Sequence, residues 1–147
     1  MKIHVGADHA GFELKAALTI FLKDQGHVVT DHGAFDYNAL DDYPDFIYPC
    51  ARAVAEDPGS RGIILGGSGQ GEAMTANRVP GIRAAVYYNG PQDIIILSRK
   101  HNDANILSLG ARFLSREKIF QVIEIWLLEP FEGGRHQSRI KKIDGNN

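Results

Sequence analysis

Two patterns of apolar residues alternate along the chain. Short continuous runs at Ile3–Ala7, Val28–Val29, Gly62–Leu65, Ile82–Tyr87 and Ile106–Leu109 read as strands. Between them, apolar residues recur at helical spacing. Leu14, Ala17, Leu18, Phe21 and Leu22 share one helix face, and Gly26 is placed to end that helix. Ile47, Cys50, Ala51 and Val54 mark a second face, and Ile119, Val122, Ile123, Trp126 and Leu127 a last one. Ala73–Arg78 reads as a short helix closed by Pro80-Gly81. Strand–helix alternation of this kind predicts a parallel sheet covered on both faces, an α/β domain. Ligands of such domains bind beyond the carboxyl ends of the strands. Chemistry is therefore expected after Ala7, Leu65, Val86 and Leu109.

Composition narrows the classes. The chain has 147 residues, 44% hydrophobic and 23% charged, which suits one domain with a buried core. A formal net charge of −2 gives no reason to expect a nucleic-acid or anionic-membrane partner. No apolar run is long enough to span a bilayer. Met1–Val5 reads as a first strand rather than a signal peptide, and with one cysteine the expected home is the cytoplasm. From about Pro130 the chain changes character. It carries Gly133-Gly134 and then a basic run, so an arm is expected there.

The sharpest local signal is Gly66-Gly67-Ser68-Gly69-Gln70-Gly71-Glu72, between a strand and a helix. Four glycines in six positions let the main chain approach a ligand and offer its N–H groups to an anion or oxyanion. A nucleotide-binding P-loop would end in Gly-Lys-Ser/Thr, but the sequence here is Gly71-Glu72-Ala73. A dinucleotide fingerprint belongs in the first βα unit, and Glu72 stands where its last glycine should be. Position alone leaves Glu72 open between two readings. It is either a base for a carbon acid, with the loop N–H groups stabilising the enediolate, or an acid favoured by the helix dipole.

Asp8-His9 follows the first strand, and His101-Asn102-Asp103 precedes the last. Asp8 also suits an N-cap and His101 a hydrogen-bonded turn. His27 and His32 are expected to be structural or surface groups. The histidines lack HxH, HxxxH or HExxH spacing, so no metal is expected. Arg135 and Arg139 lie at i and i+4, where helical geometry would aim both at one phosphate. Composition alone would make that segment a solvated tail. Arg112 follows the last strand, and Cys50 sits on a core stripe.

Several separated motifs together resemble one family. They are Gly6-Ala7-Asp8-His9-Ala10-Gly11-Phe12, Asp42-Tyr43-Pro44, the glycine loop with Ala76-Asn77, Gly81-Ile82-Arg83-Ala84, Arg99-Lys100-His101-Asn102 and Gly134-Arg135-His136-Gln137-Ser138-Arg139. They match the ribose-5-phosphate isomerase B family, whose relatives act on galactose 6-phosphate and allose 6-phosphate, from Lys2 to about Ile143. The resemblance implies a Rossmann-like three-layer α/β/α sandwich with a five-stranded parallel sheet. It implies a homodimer, or a dimer of dimers, with sites built from both subunits and the arm packed on a partner. It implies no metal and no organic cofactor. One branch of the family uses a cysteine base at the position of Gly66; this chain resembles the other, in which the glutamate closing the loop is the base.

Residue roles follow from that resemblance. His101 protonates the ring oxygen and Asp8 helps take the anomeric proton. Glu72, with a raised pKa, moves a proton between C1 and C2. Ser68, Asn102 and the backbone of Gly67, Gly69, Gln70 and Gly71 stabilise the enediolate, with Tyr43 also in the binding set. His9, Arg112, Arg135, His136 and Arg139 hold the phosphate. The segment Tyr87–Leu97, read as a loop around Asn89-Gly90-Pro91, is longer than usual and leaves pentose and hexose phosphates both open. A binding domain without chemistry and a metal-dependent lyase or hydrolase are the rival classes.

Overall fold

The computed structural model describes residues 1–145. Within them the apolar runs become strands β1 (Lys2–Ala7), β2 (Val28–Asp31), β3 (Arg61–Gly66), β4 (Ala84–Tyr87) and β5 (Ile106–Gly110). The helices are α1 (Phe12–Asp24), α2 (Pro44–Glu56), α3 (Gln70–Ala76), α4 (Asp93–Lys100), α5 (Arg116–Leu128) and α6 (Arg135–Asp144). The strands form one parallel sheet in the order β2-β1-β3-β5-β4. None of the helices is long and apolar enough to cross a membrane.

Both faces of the sheet are covered, which is why its strands lack polar alternation. On one face α1, α4 and α5 enclose Val5, Leu18, Leu65, Leu107, Ile119, Ile123 and Trp126. On the other, α2 and α3 cover Ile47, Cys50, Val54, Ile64, Ala76 and Ile106. Ile63 and Ile64 therefore point to opposite layers, as the strand period requires. Trp126, fully buried, donates its indole N–H to Ser98 Oγ at 3.2 Å and so ties α5 to α4.

One segment differs from the sequence-based expectation. Tyr87–Leu97 is not a loop: it is the end of β4, a turn with Gly90 at φ +110°, and the first half of α4. Only Ile95 of its four-residue apolar run is buried among the core, while Ile94 and Leu97 are each 43% exposed. An apolar residue on every side of the helix erases the periodicity from which helices are read. The helix expected at Ala73–Arg78 begins three residues earlier, at Gln70, so the glycine loop runs directly into it.

The order of strands sets where a ligand can enter. The chain leaves β1 toward β2 on one side and returns to β3 on the other. This switch point opens a crevice between the carboxyl ends of β1 and β3. Asp8-His9 and the glycine loop leave the sheet at those two ends. Beside them the exit of β2 is anchored by buried Lys15, which pairs with Asp31 and donates to the Ala34 carbonyl at 2.8 Å.

Candidate active site

At the carboxyl edge the glycine loop is held from both sides. The Ala111 and Arg112 N–H groups donate to the Gly66 and Gly67 carbonyls, at 2.8 and 3.1 Å. The Ser108 hydroxyl donates to the Gly69 carbonyl at 2.6 Å. Gly69 takes φ +77°, which a residue with a Cβ adopts only under strain. Ser68 Oγ accepts from the Gln70 N–H at 3.3 Å. The Tyr43 ring rests against Gly71, and the Arg112 guanidinium against Gly67.

Glu72 stands in the first turn of α3 and is only 4% exposed. Its carboxyl group occupies the space that a side chain on Gly66 would fill. A side chain at 66 and this glutamate therefore exclude one another. Burial pushes the Glu72 carboxyl above the ordinary carboxylate range; its own backbone N–H opposes the shift, and the negative charge of Asp8 adds to it. Asp8 is also buried, and its Oδ1 accepts from the Ala10 N–H at 3.0 Å, the capping geometry its position suggested. His9 is half-buried beside it, with Nδ1 2.6 Å from Asp41 Oδ1.

The remaining candidates lie at the other edge of the sheet. α4 runs back from the end of β4, so His101 caps its carboxyl end just before β5 begins. The Gly62 N–H donates to the Asn105 carbonyl at 2.8 Å, which fixes this turn at the start of β3. From there to the carboxyl edge is the length of β5, about 16 Å at ~3.3 Å per residue. The Arg99 guanidinium donates to Asp103 and to the Ala104 carbonyl, both at 2.7 Å, bracing the turn that carries His101 and Asn102.

The arm folds onto this same edge. The Glu132 N–H donates to the Lys100 carbonyl at 3.0 Å, and the Gly81 N–H donates to the Asp144 carboxylate at 2.8 Å. On α6, His136 is buried and its ring stacks on His101, with centroids 4.2 Å apart and planes 12° from parallel. Burial, then the neighbouring His101 and Arg135, push its pKa down. Arg135 and Arg139 stand exposed on the same helix.

Within one chain, then, the candidates form two groups. Asp8, His9, Tyr43, Ser68, Glu72 and Arg112 gather around the glycine loop. His101, Asn102, Arg135, His136 and Arg139 gather at the opposite edge. A single copy does not bring His101 to Glu72. His101 precedes its strand, and parallel topology puts that position at the far edge.

Among the described residues, two clusters have ligand atoms close enough to suggest a metal: His101, Glu132 and His136, and Asp8, His9 and Asp41. In the first, the His101 and His136 rings stack nearly parallel, with planes 12° apart. In the second, His9 Nδ1 is engaged by Asp41. Cys50 is fully buried on α2, and burial pushes its thiol upward, away from the reactive thiolate. A groove of about 530 Å³ lies away from Glu72, along β4 and α4, lined by Ile82, Ala85, Ile94, Leu97 and Ile143 with Asn102 among its polar residues. Sequence reasoning missed Asp41, because nothing in its spacing sets it apart from Asp42 and Asp45.

The sequence model of the Ribose/Galactose Isomerase family matches residues 3–143. The chain belongs to that family. It is 41% identical over 141 residues to ribose-5-phosphate isomerase B of Mycobacterium tuberculosis, covering 95% of this chain and 86% of the relative. Its fold superimposes on ribose-5-phosphate isomerase B of Clostridium thermocellum with a TM-score of 0.91 at 44% identity, over 98% of this chain and 95% of that one. The Mycoplasma genitalium enzyme with bound ribulose-5-phosphate gives a TM-score of 0.92 at 37% identity, over 97% and 93%. These relatives bear out both the family and the α/β fold expected from the sequence motifs.

Proposed function

We propose that this isomerase interconverts ribose 5-phosphate and ribulose 5-phosphate through an enediolate, with Glu72 as the base and each site built from two copies of the chain. The observation that carries the reading is the buried Glu72 carboxyl. It lies beside the glycine loop at the switch point, and its proton affinity is raised by burial. A carboxylate that holds its proton more tightly than usual is a better match for a carbon acid.

In this reading the first copy supplies Asp8, His9, Tyr43, Ser68, Glu72 and Arg112, and the second supplies His101, Asn102, Arg135, His136 and Arg139. His101 gives a proton to the ring oxygen as Asp8 takes one from the anomeric hydroxyl, which opens the sugar. Glu72 removes the C2 proton and returns it to C1, while the Gly67–Gly71 N–H groups, Ser68 and Asn102 stabilise the oxyanion. His9 and Arg112 meet the phosphate from one side, and Arg135, His136 and Arg139 from the other. The separation of the two groups supports a homodimer. So does the apolar groove beside edge strand β4, whose Ile94 and Leu97 lack cover within one chain. The exposed side of α6 is the part of the arm left for a partner.

Glu72→Gln is the test. Loss of a general base costs about 10²- to 10⁴-fold. Isomerisation should fall by at least that much, while ribose 5-phosphate still binds with near-native affinity. Near-normal turnover would overturn the assignment of the base. Rates with allose 6-phosphate and galactose 6-phosphate, measured alongside, identify the preferred sugar.

A further inference from the structure

His9 is held by a residue to which the proposed reaction gives no part. Asp41 Oδ1 accepts the His9 backbone N–H at 3.1 Å and lies 2.6 Å from the His9 ring Nδ1. The Asp41 side chain is only 7% exposed, and its other oxygen, Oδ2, is buried with no hydrogen-bond partner. Tyr37 closes the ring from another side, edge-on with centroids 6.4 Å apart, and is itself set against Phe12. The loop carrying Asp41 is thus tied to His9 across 32 positions of sequence.

The chemistry of this contact is one-directional. A carboxylate only accepts, so the proton between the two groups belongs to His9 Nδ1. The ring's other nitrogen, Nε2, is then the atom left for a ligand. A second carboxylate competes for the same Nδ1: Asp8 Oδ2 lies 3.9 Å away, against 2.6 Å for Asp41. Without Asp41 the imidazole would have Asp8 as its nearest acceptor, and a ring drawn there would occupy the carboxylate that opening the sugar requires. A carboxylate serving only to brace the loop would gain nothing from a buried second oxygen without a partner, which opposes folding.

We propose that Asp41 is the positioning residue for His9: it fixes the ring with Nδ1 protonated, presents Nε2 to the substrate, and keeps His9 off Asp8. The proposal rests on the assignment of His9 to the substrate in the reaction above. The role of Asp41 runs entirely through that ring.

A double-mutant cycle with a spectroscopic arm tests it. Asp41→Ala should lower kcat/KM for ribose 5-phosphate by about 10²-fold, the scale of a misplaced binding group. His9→Ala should give a similar loss, and the double variant should fall no further than about threefold below His9→Ala, because the two residues act as one unit. Asp41→Asn keeps an acceptor oxygen and should recover part of the loss, which also covers the case in which the alanine variant fails to fold. Without any substrate, nitrogen NMR of the His9 ring should show Nδ1 protonated in the native protein, and Asp41→Ala should move the Nδ1–H resonance as its hydrogen bond passes from Asp41 to Asp8. Full additivity in the cycle, native kcat/KM in Asp41→Ala, or an Nε2-protonated neutral ring in the native protein would each overturn the proposal. The ring spectrum does not depend on turnover, so it separates failure of this inference from failure of the assigned reaction.

Discussion

The two edges of the sheet are built on different principles. At the carboxyl edge, Asp8 and Glu72 are buried, and the loop between β3 and α3 is fixed by bonds to Ser108, Ala111 and Arg112. At the amino edge, His101 and Asn102 sit on a helix end, and Arg135 and Arg139 lie exposed on α6. The first edge has a buried carboxyl, Glu72, with raised proton affinity, but Arg112 as the one arginine among its candidates. The second has imidazoles and two arginines but no buried carboxylate among its candidates. In the proposed function each supplies half of the site. Parallel topology explains the split: residues that follow a strand lie at one edge, and residues that follow a helix lie at the other.

Mixing variants breaks this comparison most sharply. Glu72→Gln and His101→Asn should each be nearly inactive alone. If sites are shared between copies of a symmetric dimer, random reassembly gives about half mixed dimers with one intact site each, hence about a quarter of native activity. Sites confined to one chain would restore none, so an activity assay after unfolding and remixing decides the matter.

Gly66→Ala probes the carboxyl edge alone. Its Cβ would overlap the Glu72 carboxyl, and a base displaced by about 1 Å loses about 10²-fold. The fall should appear in kcat, with KM moving less. Arg139→Ala probes the other edge. Loss of a charge-assisted contact, about 1.5–3 kcal/mol, should raise KM for ribose 5-phosphate by about 10- to 150-fold and leave kcat closer to native. An unchanged KM would remove α6 from the site.

The smallest effect is on stability. The Glu72 pKa is raised in the folded protein, so the folded chain holds this proton more tightly than the unfolded one. The resulting stabilisation is fully present below the ordinary glutamate pKa and is lost as pH rises through the raised value. A glutamine in its place would not titrate. Glu72→Gln should therefore gain on the native protein as pH rises from about 4 to about 8, by on the order of a few degrees in Tm. A Tm difference independent of pH would contradict the buried-carboxylate reading.

Much of the fold was legible. Ile3, Val5, Ile63, Leu65, Leu107 and Leu109 form continuous apolar runs because both sheet faces are covered, and the helix stripes of α1, α2 and α5 face those runs. α4 was not legible, since Ile94 and Leu97 break its stripe with apolar surface that one chain leaves open. In the site, the glycine loop advertised itself, because close backbone approach demands glycine wherever it occurs. Asp41 did not: its meaning comes from a contact with His9 that only the path of the β2–α2 segment creates.

By itself, the sequence determined the layered α/β architecture, the glycine-rich loop between β3 and α3 and, through its motifs, the family. These depend on local periodicity and on residue types that local geometry requires. The tertiary structure alone decided that Glu72 is buried against Gly66, that Asp41 holds His9, and that His101 and α6 lie a sheet's length from Glu72. Burial and distance arise from strand order and helix direction, and no short stretch of sequence carries either.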